Sequence, residues 1–380
     1  MNFDDIRPYY EEEIPAAMRR IADNRMFPSL SEFVFPDKHV EEVRKMVAGL
    51  KTIEEFQDRV MNVFNHEVIR RSITEFTFDG LNRVERGKPY LFVSNHRDIV
   101  LDSSLLQTVL HENHFDTTEI TFGANLMQGE LIVDIGKSNK MFRVERGATP
   151  KEFYRLSMHL SEYIRHVITE KNASVWIAQR NGRTKDGDDR TDQGIIKMFS
   201  MSGPNDKIET LSELHILPVS VSYEWESCDF LKAFELYRTQ KEGKYIKQPG
   251  EDVNSILTGI MQPKGRVHFE ICPPIDPSEL MAFANRTQNE YHAQVAHLID
   301  HRIHEHFRLW PNNYIAHDKL YAQNTYHRLY SNKQKEAFEL RVSQLLSKAT
   351  EYLGTDFETD ALVEIFLKIY AAPVDNKAYA

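Results

Sequence analysis

Between about residues 76 and 275, short apolar runs alternate with stretches of helical periodicity. The runs Tyr90–Val93, Ile120–Ala124, Met141–Val144, Ser174–Ala178, Ile216–Tyr223 and Gly265–Ile271 predict strands, with helices between them. The clearest helix runs from Pro150 to about Thr169. Thr149 caps it, Pro150 suits its first position, and Glu152 completes a capping box. This alternation predicts an α/β fold with a mixed, largely parallel sheet flanked by helices.

The flanking regions read differently. Up to about residue 75 no strand pattern interrupts a helical periodicity. Asp37 is placed to cap a helix carrying Val40, Val43, Val47 and Leu50, and Thr52 with Glu55 to open the next, which carries Phe56, Val60, Val63 and Phe64. Beyond 275, Asp276-Pro277 starts one helix. Thr287 with Glu290 starts another, expected to run to about Trp310, where Pro311 stops it. The pattern stays helical from about Leu320 to Ala371. The expected organisation is a helical N-terminal appendage (1–75), an α/β domain (76–310) and a helical C-terminal tail (311–380).

Composition narrows the function classes. The chain has 380 residues, 41% of them hydrophobic and 27% charged, with a formal charge of −10. That balance disfavours nucleic acid, whose phosphates demand a basic face. No apolar run approaches the ~18 residues of a membrane span. The opening residues, MNFDDIRPYYEEE, lack a signal peptide's apolar segment. Cys228 and Cys272 sit in unrelated contexts and form no metal spacing. These features suggest a cytoplasmic, reduced protein.

The chemistry concentrates after the first predicted strand. There, Ser94-Asn95 break the apolar run, His96 follows, and Asp98 and Asp102 come close behind. Strand, polar turn and helix place reactive side chains at the carboxyl end of an α/β sheet. A histidine beside a carboxylate is a general base with its orienting partner. A histidine alone after a strand is more often structural, so the other stretches carry weight. Met141–Val144 leads into Glu145, Arg146 and Gly147. Ala178–Gly187 is a basic turn holding Arg180, Asn181, Arg183 and Lys185, and guanidinium groups suit phosphate oxygens. Gly136-Lys137-Ser138 lacks the earlier glycine of a phosphate-binding loop, since position 131 is Leu. His297, His301 and His304 lie opposite an apolar helix face of Val295, Leu298, Ile299 and Ile303 and read, with His306, as a solvated face. No metal site is expected there.

Taken in order, four of these stretches resemble the four sequence blocks of the glycerolipid acyltransferases, which act on glycerol-3-phosphate or its 1-acyl form. They are Asn95-His96-Arg97-Asp98-Ile99-Val100-Leu101-Asp102, Arg143–Arg146, Ala178–Lys185 and Leu217–Tyr223. The resemblance covers roughly residues 85–275. It departs from the family in one extra residue between His96 and Asp102, and in the loss of the third block's glutamate, at Arg180 or Asn181. Asp102 is the preferred acid and Asp98 its rival.

The resemblance implies acyl transfer from a thioester, on coenzyme A or acyl carrier protein, to a glycerol hydroxyl. His96 would act as base and Asp102 as its orienting acid. Arg146, Arg183 and Lys185 would bind phosphate, with Arg180 and Asn181 as second-rank candidates. It implies no cofactor and no metal. Lipid products imply peripheral membrane contact. A catalytically degenerate lipid-binding relative, or a different lipid acceptor, is the alternative. Backbone amides near Asn95–Arg97 are candidate oxyanion donors.

Overall fold

In the computed structural model, described for every residue except Met1, Arg146, Ala148 and Tyr379, the amphipathic N-terminal segment forms five helices. They are α1 (Ile14–Asp23), α2 (Phe27–Val34), α3 (Val40–Ala48), α4 (Ile53–Phe56) and α5 (Asn62–Ser72). Thr52 caps α4 as expected, accepting the Glu55 amide at 3.1 Å. Helix α3 is capped by His39 and not by Asp37. Asp37 lies two residues before the capping position, too early in the chain to reach the free amides of the first turn.

Strand β1 (Ile73–Asp79) follows α5 directly, so the sheet begins before the expected boundary at Phe76. Its alternation is broken by a register shift between Ile73 and Glu75, which hid it from a period-two reading. The remaining strands are β2 (Leu91–Ser94), β3 (Glu119–Gly123), β4 (Met141–Val144), β5 (Val175–Ala178), β6 (Ile216–Tyr223) and β7 (Gly265–Ile271). Between β2 and β5 lie α6 (Leu101–Glu112), α7 (Glu130–Ser138) and α8 (Pro150–Thr169). Helices α9 (Gln193–Phe199) and α10 (Lys207–Ser212) precede β6, and α11 (Asp229–Glu242) and α12 (Glu251–Met261) join β6 to β7. The chain ends in α13 (Pro277–Met281), α14 (Gln288–His306), α15 (Pro311–Leu320), α16 (Asn332–Leu353) and α17 (Thr359–Ala378). Pro311 does not stop α14, which ends at His306. It opens α15, where its missing N–H costs nothing.

The strand order is β1-β7-β6-β2-β5-β3-β4. Strands β6, β2, β5, β3 and β4 run parallel, β7 is antiparallel to β6, and β1 is parallel to β7. The fold is therefore the mixed, largely parallel sheet expected. Every residue of β2 and β6 is buried, as befits central parallel strands covered on both faces. Leu91 and Val93 face a core with Val167 of α8 and Ile299 of α14. Phe92 and Trp176 face the opposite core, with Leu105 and Leu106 of α6. Helices α15–α17 pack on α11 through Phe338, Phe366, Tyr370 and Phe234. The N-terminal helices pack against Leu131 and Ile135 of α7. Both helical regions thus share apolar contacts with the α/β part.

Candidate active site

Strands β6, β2 and β5 are neighbours, so the loops leaving their carboxyl ends converge. The chain leaves β2 at Ser94. Asn95 then extends the β2–β6 ladder with its side chain, accepting the Val221 amide at 2.7 Å and donating to the Val221 carbonyl at 2.9 Å. This anchors the turn that carries His96.

His96 Nδ1 lies 3.0 Å from Asp102 Oδ2. The same oxygen accepts the backbone amides of Arg97 at 2.6 Å and Asp98 at 2.8 Å. Tyr223, at the end of β6, donates its hydroxyl to Asp102 Oδ1 at 2.8 Å. The carboxylate is wholly buried, while 14% of the histidine side chain is exposed. Two amides and the Tyr223 hydroxyl already donate to Asp102, so its bond with His96 puts the histidine proton on Nδ1 and leaves Nε2 as the free acceptor. The imidazole packs edge-on against Trp176 at 6.1 Å between ring centres. Burial pushes the Tyr223 phenol well above its usual range, with the Asp102 charge adding to it, so it remains a donor.

Asp102, and not Asp98, is the carboxylate hydrogen-bonded to the histidine. Asp98 accepts the amides of Val100 at 2.8 Å and Leu101 at 2.9 Å, closing the start of α6, and also accepts the Ser227 hydroxyl. The Arg97 amide is committed to Asp102, so it is not free to hold an oxyanion.

The loop after β5 lies against the histidine turn, with the Thr184 amide donating to the His96 carbonyl at 2.7 Å. Arg183 is only 8% exposed, its Nη1 has no partner, and no hydrogen bond or ion pair holds its guanidinium among the described residues. Lys185 points elsewhere and pairs with Glu235 of α11. Arg180 reaches only the Asp188 carbonyl, at 3.4 Å, and Asn181 is exposed. Arg146 lies outside the described residues.

Behind this surface is a charge network the sequence reading missed. Arg97 is 1% exposed and contacts Asp189 Oδ2 at 2.5 Å and Glu226 Oε2 at 3.3 Å. Buried Lys232 donates to the Arg97 carbonyl at 2.7 Å and to Glu226 Oε1 at 2.5 Å. Burial opposes the Arg97 charge, but Asp189 and Glu226 outweigh it and raise the guanidinium pKa. Arg97 also donates to the Gly187 carbonyl at 3.2 Å. Gly187 has φ +82°, and a Cβ there would meet the Ile369 carbonyl at 2.2 Å. Arg97 stood inside a recognised block; Asp189, Glu226 and Lys232 had no spacing that would have pointed to them.

Asp79, His268 and Glu270 form a group that could geometrically hold a metal. However, Arg83 already holds Glu270 at 2.7 Å, and the Arg308 guanidinium lies 3.4 Å from His268 Nδ1. One cation thus already holds Glu270 and another stands beside His268. In the C-terminal histidine group, His304 is not solvated as expected: its Nε2 bonds the Asp189 carbonyl.

Replacing Tyr223 with Phe should strand Asp102 Oδ1, at a cost of about 1–3 kcal/mol. Chemical denaturation measures this, and an unchanged midpoint would mean that another donor serves that oxygen.

Residues 75–222 match the family described as Acyltransferase. No curated protein matches the chain. The crystal structure of the 1-acyl-sn-glycerophosphate acyltransferase of Thermotoga maritima is similar over 78% of this chain and 99% of that one, at 15% identity and a TM-score of 0.37.

Proposed function

We propose that this chain, which over residues 75–222 is a member of the acyltransferase family, moves a fatty acyl group from a thioester to a hydroxyl of glycerol-3-phosphate or 1-acylglycerol-3-phosphate. The donor is an acyl-CoA or an acyl carrier protein. His96 Nε2 takes the hydroxyl proton, and Asp102 holds the imidazole and stabilises its cationic form. The substrate oxygen then attacks the thioester carbonyl, and the departing thiolate takes the proton from the imidazolium. No acyl-enzyme intermediate is formed.

The observation that carries the acceptor class is Arg183. An unpaired guanidinium more than nine-tenths buried, one residue from the amide that bonds the His96 carbonyl, calls for an anion. A phosphate held there would place its neighbouring hydroxyl for the base. Arg146 and Lys185 are subsidiary: Lys185 would have to leave Glu235 to take part. No helix among the described residues is long and apolar enough to cross a membrane, so contact with lipid would be peripheral and the protein cytoplasmic or membrane-associated.

The test is thiol release from acyl-CoA and acyl-carrier thioesters with each acceptor in turn. We expect release only when a phosphorylated acceptor is present. Arg183→Ala should raise its KM by about 10- to 100-fold, the worth of a charge-assisted pair. Equal release with an unphosphorylated glycerol acceptor would remove the phosphate assignment.

A further inference from the structure

Helix α12 distributes its residues the opposite way from an ordinary surface helix. Its buried positions are Ser255 and Gly259, both small. Its large apolar residues Val253, Leu257 and Met261 are 59%, 56% and 53% exposed. They recur every four residues and so form one stripe along the helix. Ile246, in the segment leading to α12, is 69% exposed.

The small inner face explains the placement. A Cβ at Gly259 would stand 2.3 Å from Asp98 Oδ2, so only glycine lets the helix approach the histidine turn. The Ser255 carbonyl accepts the Cys228 thiol at 3.2 Å. Asp252, at the start of α12, accepts from Asn125, in the loop after β3, at 3.1 Å. Helix α12 therefore lies over the carboxyl ends of the strands, with its inner face on the His96 turn and its apolar stripe turned outward. Val253, Leu257 and Met261 carry no acidic residue between them along that stripe. Lys244 and Lys247 flank Ile246, and the two acidic residues of the first turn are already occupied, Asp252 by Lys247 at 2.5 Å and Glu251 by the Tyr245 hydroxyl.

We propose that the Ile246–Met261 segment is the membrane-docking face of the protein, which lays Ile246, Val253, Leu257 and Met261 into an anionic bilayer with the exposed Lys244 at its headgroups and Lys247 neutralising Asp252 beside the stripe. An apolar stripe bordered by lysines is what the boundary between headgroups and acyl chains accepts. The partner is argued from that charge pattern. It rests also on the acceptor reading above, since a lipid substrate or product must pass between a bilayer and His96, and α12 lies between the two.

The experiment is co-sedimentation of the full-length protein with vesicles of equal parts phosphatidylglycerol and phosphatidylcholine, read without substrate. Wild type is compared with the Val253→Asp/Leu257→Asp double variant and with Lys244→Glu. Each apolar side chain withdrawn from lipid weakens partition, so the double variant should lose at least about tenfold. Lys244→Glu should weaken binding to these vesicles and leave the low binding to pure phosphatidylcholine unchanged. All variants should keep the wild-type circular dichroism and, in thiol release with a short-chain soluble acceptor, the wild-type rate.

Wild type that does not sediment, or a double variant that sediments equally, overturns the proposal. So does a wild-type dimer in sedimentation velocity that the double variant dissociates, since the stripe would then be a self-association face. Vesicle binding lost in the variant, together with no acyl transfer from any pair, would leave the docking face standing and remove the acceptor reading alone.

Discussion

Replacing His96 with Ala should lower the turnover of acyl transfer by about 10²–10⁴-fold, the range for a positioned general base, and leave the fold intact. Among the described residues the imidazole's one hydrogen bond is to Asp102, at 3.0 Å. The backbone carbonyl that accepts Thr184 survives the substitution. Asp102, in contrast, ties two amides, the imidazole and the Tyr223 hydroxyl together in a buried place. Asp102→Ala should therefore lose both turnover and stability, because buried donors left without a partner cost about 1–3 kcal/mol each. The pair of variants separates chemistry from scaffolding. Steady-state thiol release with matched denaturation curves would show the difference. His96→Ala with wild-type turnover would end the assignment of the base.

The second large effect is expected at Glu226, on stability. Its two oxygens meet Arg97 at 3.3 Å and Lys232 at 2.5 Å, all three side chains being almost fully buried. Removing one partner of a buried ion pair leaves a charge in a medium that cannot solvate it, at about 3–5 kcal/mol. Glu226→Ala should lower the free energy of unfolding, read from denaturation curves, by that amount. Replacing Glu226 with Leu and Lys232 with Met together should cost less than Glu226→Ala alone, since no charge is then stranded except on Arg97, which Asp189 retains at 2.5 Å. Breaking the Lys185–Glu235 pair, whose side chains are 28% and 17% exposed, should cost less, about 1 kcal/mol. A Glu226→Ala loss as small as that would mean the network is hydrated, and would remove it as the support of the histidine turn. The network ties Arg97, next to His96, to the Asp189 loop and to α11.

Much of this was legible in the chain because the signals are local. Short apolar runs between breakers marked six of the seven strands. Thr149 with Glu152, and Thr287 with Glu290, form their capping boxes as read. His96 and Asp102 lie six residues apart on one strand–turn–helix unit, so their pairing needs no distant part of the chain.

What the sequence could not yield depends on contacts between distant segments. Strand β1 gains its place from pairing with β7, some 190 positions later, and its own alternation is broken. Tyr223 meets Asp102 because β6 pairs with β2 in parallel register. Only burial distinguished unpaired Arg183 from paired Lys185, two cations of one loop with the same apparent value in sequence. Glu226 and Lys232 look like surface charges until the fold removes water from them. The sequence by itself determined which residues prefer strand, turn or helix, and that a histidine and two carboxylates stand after β2. The tertiary structure decided which charges are dry, which carboxylate the histidine meets, and which face of α12 is left outward, because desolvation and strand register are properties of the packed chain and not of any segment of it.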